Sequence, residues 1–163
     1  MVKHKAGVAG SWSNQRGLTL IELIVAFTIL MLLATMAIPL ARFKVRRERE
    51  KELRWALADM RKAIDKYKDA ANVNLLPAGK IDSDGYPESL QQLVDGVRPN
   101  GSPDRRLRFL RRIPKDPFTN SFDWGLRSTR DDPDSTGWGG QNVFDVYTKS
   151  TEKAPDGTPY SEW

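Results

Sequence analysis

One carboxylate stands where its surroundings have no use for a charge. Leu18–Leu40 is an almost uninterrupted apolar run of 23 residues, and Glu22 is its single ionisable residue. On insertion scales such a side chain costs about 2–3 kcal/mol, less where it reaches the headgroups, and it usually faces a protein partner or a polar cavity. Glu22 therefore calls for a cationic neighbour; the plainer reading leaves it unpaired at headgroup depth. Other reactive groups are scarce. The chain has no cysteine and a single histidine, His4, so thiol and imidazole chemistry have no place beyond the first few residues. Asp and Glu are plentiful, but no spacing singles out a pair for acid–base work. A glycine-rich phosphate loop of the Walker type is also missing. The sequence points to a structural role and away from an enzyme.

The element that must position Glu22 is a helix. At about 1.5 Å per residue the run from Leu18 to Leu40 gives roughly 34 Å, enough to cross a hydrocarbon core of about 30 Å. A single membrane span over 18–40 is the expectation. The preceding 1–17 carries Lys3, His4, Lys5 and Arg16 with no acidic residue, as suits a cytoplasmic flank. Beyond the run, Arg42, Lys44, Arg46, Arg47, Arg49, Lys51 and Arg54 outnumber Glu48, Glu50 and Glu52, so charge alone leaves the orientation open. Pairing of Glu48 with Lys51 and of Glu50 with Arg54 is expected along the helix. The helical period continues through Leu53, Leu57, Met60, Ile64, Tyr67 and Ala71, which fall on one stripe and predict an amphipathic half over 41–72. Pro39 removes one backbone hydrogen bond and predicts a kink.

Residues 73–163 turn to Pro, Gly and Asp with short apolar patches. Pro87–Val94 reads as a short helix with Leu90, Leu93 and Val94 on one face. Phe122–Leu126 and Val143–Thr148 have the aromatic and β-branched content of strands. Two or three antiparallel strands packed on the Leu53–Ala71 stripe give an α+β unit. Without cysteine it gains no disulfide, and its stability rests on packing.

Gly17 followed by Leu18, Thr19, Leu20, Ile21, Glu22 and Leu23, with an apolar tail containing Pro39, resembles the processing and assembly signal of the type IV pilin-like superfamily. Gly85-Tyr86-Pro87, Ile113–Phe118 and Phe144–Tyr147 are most like the major pseudopilin of type II secretion, with Phe118 standing where that family commonly has Trp. The resemblance implies a long N-terminal helix on a small antiparallel β-sheet domain. It implies that a prepilin peptidase cuts between Gly17 and Leu18 and methylates Leu18, with Glu22 and Thr19 as assembly residues. An ammonium released on Leu18 would then meet the Glu22 carboxylate of an adjacent subunit. Such a pair is weak evidence of net stability but sets register between identical helices. Self-assembly into a periplasmic filament, contact with minor pseudopilins and an inner-membrane secretion platform, and a single-pass inner-membrane location follow from the same resemblance.

Three alternatives stay open at this point. The chain could serve as a type IV pilin for adhesion, motility or DNA uptake, or as an anchored domain that never assembles. An ordinary signal peptidase could also cut after Thr35-Met36-Ala37, leaving Ile38 as the new terminus, although the apolar segment is long for that route.

Major pseudopilins also bind calcium in a carboxy-terminal loop, and the resemblance offers Asp131, Asp132, Asp134, Asp145 and Asp156 as oxygen donors. The family's acidic loop is replaced here by Lys149–Trp163, and the competing reading places these acids on solvated turns. Asp82-Ser83-Asp84-Gly85 is no EF-hand, because Leu93 stands where a bidentate Glu is required. The formal charge of +5 falls to about +2 once Lys3, Lys5 and Arg16 are removed, so strong nucleic-acid binding is not implied. The cluster Arg105, Arg106, Arg108, Arg111 and Arg112 reads as a solvated loop or as a contact for acidic residues of a neighbouring subunit, ahead of DNA.

Overall fold

In the computed structural model the described residues are 19–102 and 104–163, without the side chains of 36–41. They fall into two compact units that divide between Phe43 and Lys44. The elements in chain order are helix α1 (Leu20–Asn72), a 3-10 turn at Ile81–Ser83, helix α2 (Leu90–Asp95), strand β1 (Gly125–Arg127), strand β2 (Asp145–Tyr147) and a 3-10 turn at Tyr160–Glu162. This is the α+β, pilin-like architecture that the sequence predicts, reduced to a two-stranded sheet.

In the first unit every residue from 19 to 35 is exposed, apolar ones included. Thr28 and Thr35 return their hydroxyl protons to the carbonyls of Ile24 and Leu32, at 2.7 and 2.8 Å, so neither hydroxyl needs an outside partner. A helix apolar all round belongs in a large core or a bilayer. Among the described residues, no helix is long and apolar enough to cross a membrane. The run whose side chains are described, 20–35, measures about 24 Å at 1.5 Å per residue, short of the roughly 30 Å of a hydrocarbon core. Leu18 and the side chains of 36–40, which complete the expected span of 18–40, lie outside the described residues. The helix assignment continues unbroken through position 39.

In the second unit the helical stripe is the floor of the core. Leu53, Leu57, Met60, Ile64 and Tyr67 are buried together with Ala56, Ala63 and Ala70, while Ala71 is partly covered. Each fully buried Leu or Ile contributes about 1.5–3 kcal/mol of transfer free energy. The stripe stops where Asn74 turns left-handed at φ 54°. Leu90 and Leu93 of α2, Trp124, Val143, Val146 and Tyr160 close over it.

α2 begins three residues later than the sequence suggests, because Pro87 is fully buried and its carbonyl accepts from Val143 N–H. Ser89 is the helix cap, accepting from Gln92 N–H through its hydroxyl. The strands are antiparallel with Gly125 opposite Tyr147, Leu126 opposite Val146 and Arg127 opposite Asp145. Glycine is required at 125: a Cβ there would lie 2.2 Å from the Tyr147 ring, which crosses the strand at that point. Tyr147 is fixed in turn by donating its hydroxyl proton to the Thr136 carbonyl at 2.9 Å and by the Arg127 guanidinium 4.3 Å over its ring.

Two helix pairs were expected beyond the apolar run. Glu48 and Lys51 do pair, at 3.6 Å. Glu50 instead takes Arg46 at 3.5 Å and the Tyr160 hydroxyl at 2.7 Å, while Arg54 stacks 4.3 Å over the Trp163 ring. Glu50 prefers Arg46 because the Tyr160 hydroxyl bridges them, and the indole gives Arg54 a flat surface of its own.

Candidate assembly site

The first turn of α1 is organised by Thr19. Its hydroxyl accepts the backbone N–H of Glu22 at 3.3 Å, and its carbonyl accepts from Leu23 N–H. With Thr19 as cap and Glu22 three positions on, this is the forward half of a capping box. Glu22 is the acidic residue of the first turn, where the positive end of the helix dipole favours a negative charge. Thr19 thus shapes the backbone while Glu22 keeps its carboxylate exposed and free to meet another group. Gly17 and Leu18, the expected cleavage and methylation positions, lie outside the described residues, as does the side chain of Pro39.

The segment Ile113–Phe118, which carried part of the family resemblance, is a structural clasp. Asp116 is fully buried and accepts from Phe118 N–H at 2.8 Å, from Thr119 N–H at 3.4 Å and from the Thr148 hydroxyl. It ties the loop to the residue after β2. Trp124 adds a bond from its indole N–H to the Pro114 carbonyl at 2.9 Å, and Phe118 lies 4.1 Å from the Tyr160 ring. Replacing Asp116 by Ala leaves the buried Thr148 hydroxyl and two partly buried N–H donors without an acceptor, so the domain loses about 1–3 kcal/mol. Asp116→Asn, which keeps the Oδ1 acceptor, loses less. The urea midpoints of the two variants check the order.

The candidate calcium donors do not come together: among the described residues no three carboxylates or imidazoles stand as a metal-binding group. The Asp131 carboxylate accepts from Ser128 N–H at 2.7 Å and from Gly139 N–H at 3.1 Å, and these bonds hold its pKa below the usual carboxylate range. Asp145 is taken by Arg61 at 2.6 Å, with Arg127 at 3.7 Å. Asp156 caps its own turn through Thr158 N–H at 2.9 Å. Asp132 and Asp134 are exposed. Among the described residues these carboxylates are engaged in separate contacts or stand in solvent.

Two polar centres escaped the sequence reading. The Arg61 guanidinium ties β2 to the tail, donating to Asp145 Oδ1 at 2.6 Å and to the Trp163 carbonyl at 2.7 Å. Asn142, fully buried, donates to the Ser83 carbonyl and the Thr129 hydroxyl, both at 3.1 Å, and accepts from Thr129 N–H at 3.1 Å. Arg61 sits between the members of the apolar stripe, and Asn142 lies in a stretch with no period. Both partners are remote in sequence, so no local pattern marks either residue.

The comparisons with known proteins agree with this geometry. The prokaryotic N-terminal methylation motif matches residues 12–38, the stretch that contains Thr19 and Glu22. A protein named type II secretion system core protein G, from Aeromonas hydrophila, is 31% identical over 114 residues, covering 67% of this chain and 71% of the relative. No solved structure matches the chain. A methylation motif over residues 12–38, with a relative 31% identical across two thirds of the chain, places the chain in the type IV pilin-like superfamily: it belongs to the family of type II secretion system core protein G.

Proposed function

We propose that the chain is the structural subunit, a major pseudopilin, of a periplasmic type II secretion filament that helps move folded proteins across the outer membrane. In this reading a prepilin peptidase removes 1–17 and methylates Leu18, the apolar run anchors the subunit in the inner membrane, and the second unit faces the periplasm. The new ammonium on Leu18 pairs with Glu22 of the adjacent copy. Processing is then a switch, since the uncut amide at Leu18 carries no charge. The role is structural, and energy comes from a separate cytoplasmic motor. Minor pseudopilins and an inner-membrane platform are the expected companions.

The observation that carries the reading is the exposed Glu22 carboxylate in the Thr19-capped first turn of a helix whose residues 20–35 are otherwise free of charge. Deleting the gene in the parent organism tests it. The expected result is that folded exoproteins accumulate in the periplasm and that export returns with the gene. Normal export, with loss of surface filaments, twitching or DNA uptake, would overturn it in favour of a type IV pilin.

A further inference from the structure

Exposed tryptophans are uncommon on a free surface, and the second unit carries two on chemically different patches. Trp55 is 74% exposed on α1. It borders a groove of about 670 Å³ lined by Phe109, Arg111, Arg112 and Lys115, with Glu52 and Asp59 on its α1 side. Trp138 is 44% exposed and held rigid, its indole N–H donating to the Asn142 carbonyl at 2.8 Å. It sits in the loop that carries Asp132 and Asp134, both exposed. The groove carries three cations against two carboxylates, whereas the Trp138 loop presents two exposed acids.

The Trp55 groove and the surface beside Asp134 lie on opposite flanks of α1. The groove is lined by Trp55 and Asp59, whereas the surface beside Asp134 is lined by Arg61. Asp59 and Arg61 are about 200° apart around a helix of 3.6 residues per turn. Patches so placed cannot satisfy each other within one molecule. They can do so between copies, in a head-to-tail contact that leaves each end open for another copy, the geometry that yields helical filaments instead of closed rings. Trp and Arg are also the residue types that anchor protein interfaces.

We infer that the Trp138 loop of one subunit seats in the Trp55 groove of the next, with Asp132 and Asp134 facing Arg111, Arg112 and Lys115. This rests on the reading of the chain as a filament subunit and names a lateral contact separate from the Leu18–Glu22 pair. Arg111 and Arg112 of the arginine cluster thereby have their partners in the acidic loop of a neighbouring copy.

The test uses the full chain expressed in membranes with its assembly machinery. Because the chain has no cysteine, Lys115→Cys with Asp134→Cys introduces two thiols at exposed positions. A short thiol-reactive cross-linker is expected to give a ladder of dimers, trimers and larger species from filaments of the double variant, and only monomers from either single variant alone. In parallel, Arg111→Asp with Arg112→Asp is expected to lower assembly at least tenfold, and adding Asp132→Arg with Asp134→Arg to restore it. Filaments that form but give no ladder, or charge-reversed subunits that assemble to the normal extent, overturn this contact and leave the filament reading standing. Absence of filaments from the unmodified chain overturns the filament reading as well.

Discussion

Glu22→Ala is expected to leave a subunit that is processed and folded yet does not join filaments. Truncation removes the carboxylate and strands the Leu18 ammonium of the neighbour. Breaking a buried pair from one side costs about 3–5 kcal/mol, and each 1.4 kcal/mol is tenfold in an equilibrium, so co-assembly falls by roughly two to three and a half orders of magnitude. Glu22→Gln removes the charge while keeping the shape and falls nearly as far. Glu22→Asp keeps the charge on a shorter stem and recovers part of the loss. The helix itself is spared, because Thr19 receives the backbone N–H of residue 22, which any of these residues supplies. Thr19→Ala provides the contrast: loss of a cap costs about 1 kcal/mol and lowers assembly far less. Co-purification of differently tagged subunits from membranes measures all four. Glu22→Ala subunits that co-purify at full yield contradict the assigned role.

Tyr160→Ala has the largest effect expected on folding. The Tyr160 side chain is fully buried, 4.1 Å from the Phe118 ring and 4.8 Å from that of Trp163. Its hydroxyl donates to Glu50 Oε1 at 2.7 Å and accepts from Arg46 Nε at 3.0 Å. Aromatic-to-alanine truncation in a core costs about 3–5 kcal/mol, a large share of the 5–15 kcal/mol typical of a domain. The melting temperature of the detergent-solubilised full chain is expected to drop by more than about 15 °C. Tyr160→Phe keeps the ring and loses only the two polar contacts, so its drop is a fraction of that. Near-ultraviolet circular dichroism on heating reads both, and an unchanged Tyr160→Ala melting temperature would contradict the role of the tail as a lid on the core.

That lid shows where sequence reading stops. The stripe from Leu53 to Tyr67 was legible because every member lies three or four residues from the next, and burial followed the period. Val146 and Tyr147 were legible as strand by residue type, although the strands are shorter than the apolar patches that announced them. Phe122 fell outside its strand as an exposed residue, since Gly125 is the first residue able to face Tyr147. Tyr160, in contrast, lies more than a hundred residues from both Arg46 and Glu50. Pro155, Gly157 and Pro159 punctuate the segment around it, and the sequence leaves open whether Thr158–Trp163 caps the domain or meets another subunit. The same holds for Asp116: its sequence context suggested a family motif, but only the fold reveals that the carboxylate holds three donors.

Of the assembly site, the sequence yielded the isolated charge and the residues around it, and the structure added the reason for Thr19. A helix needs an acceptor for its first free N–H groups, and a threonine three positions before a glutamate supplies one. The acids that the family resemblance offered to calcium have local roles of their own. Asp131 and Asp156 close their own turns, and Asp145 is held by two arginines.

The central claim is that proteolysis creates the charge Glu22 meets. Determining the amino terminus of subunits isolated from assembled filaments, by sequencing and intact mass, tests it most directly. The account predicts a chain that begins at Leu18 and carries an added methyl group on its terminal nitrogen. Filament subunits that begin at Met1, or at Ile38, would contradict it, because no ammonium would then stand on Leu18 for the neighbouring carboxylate.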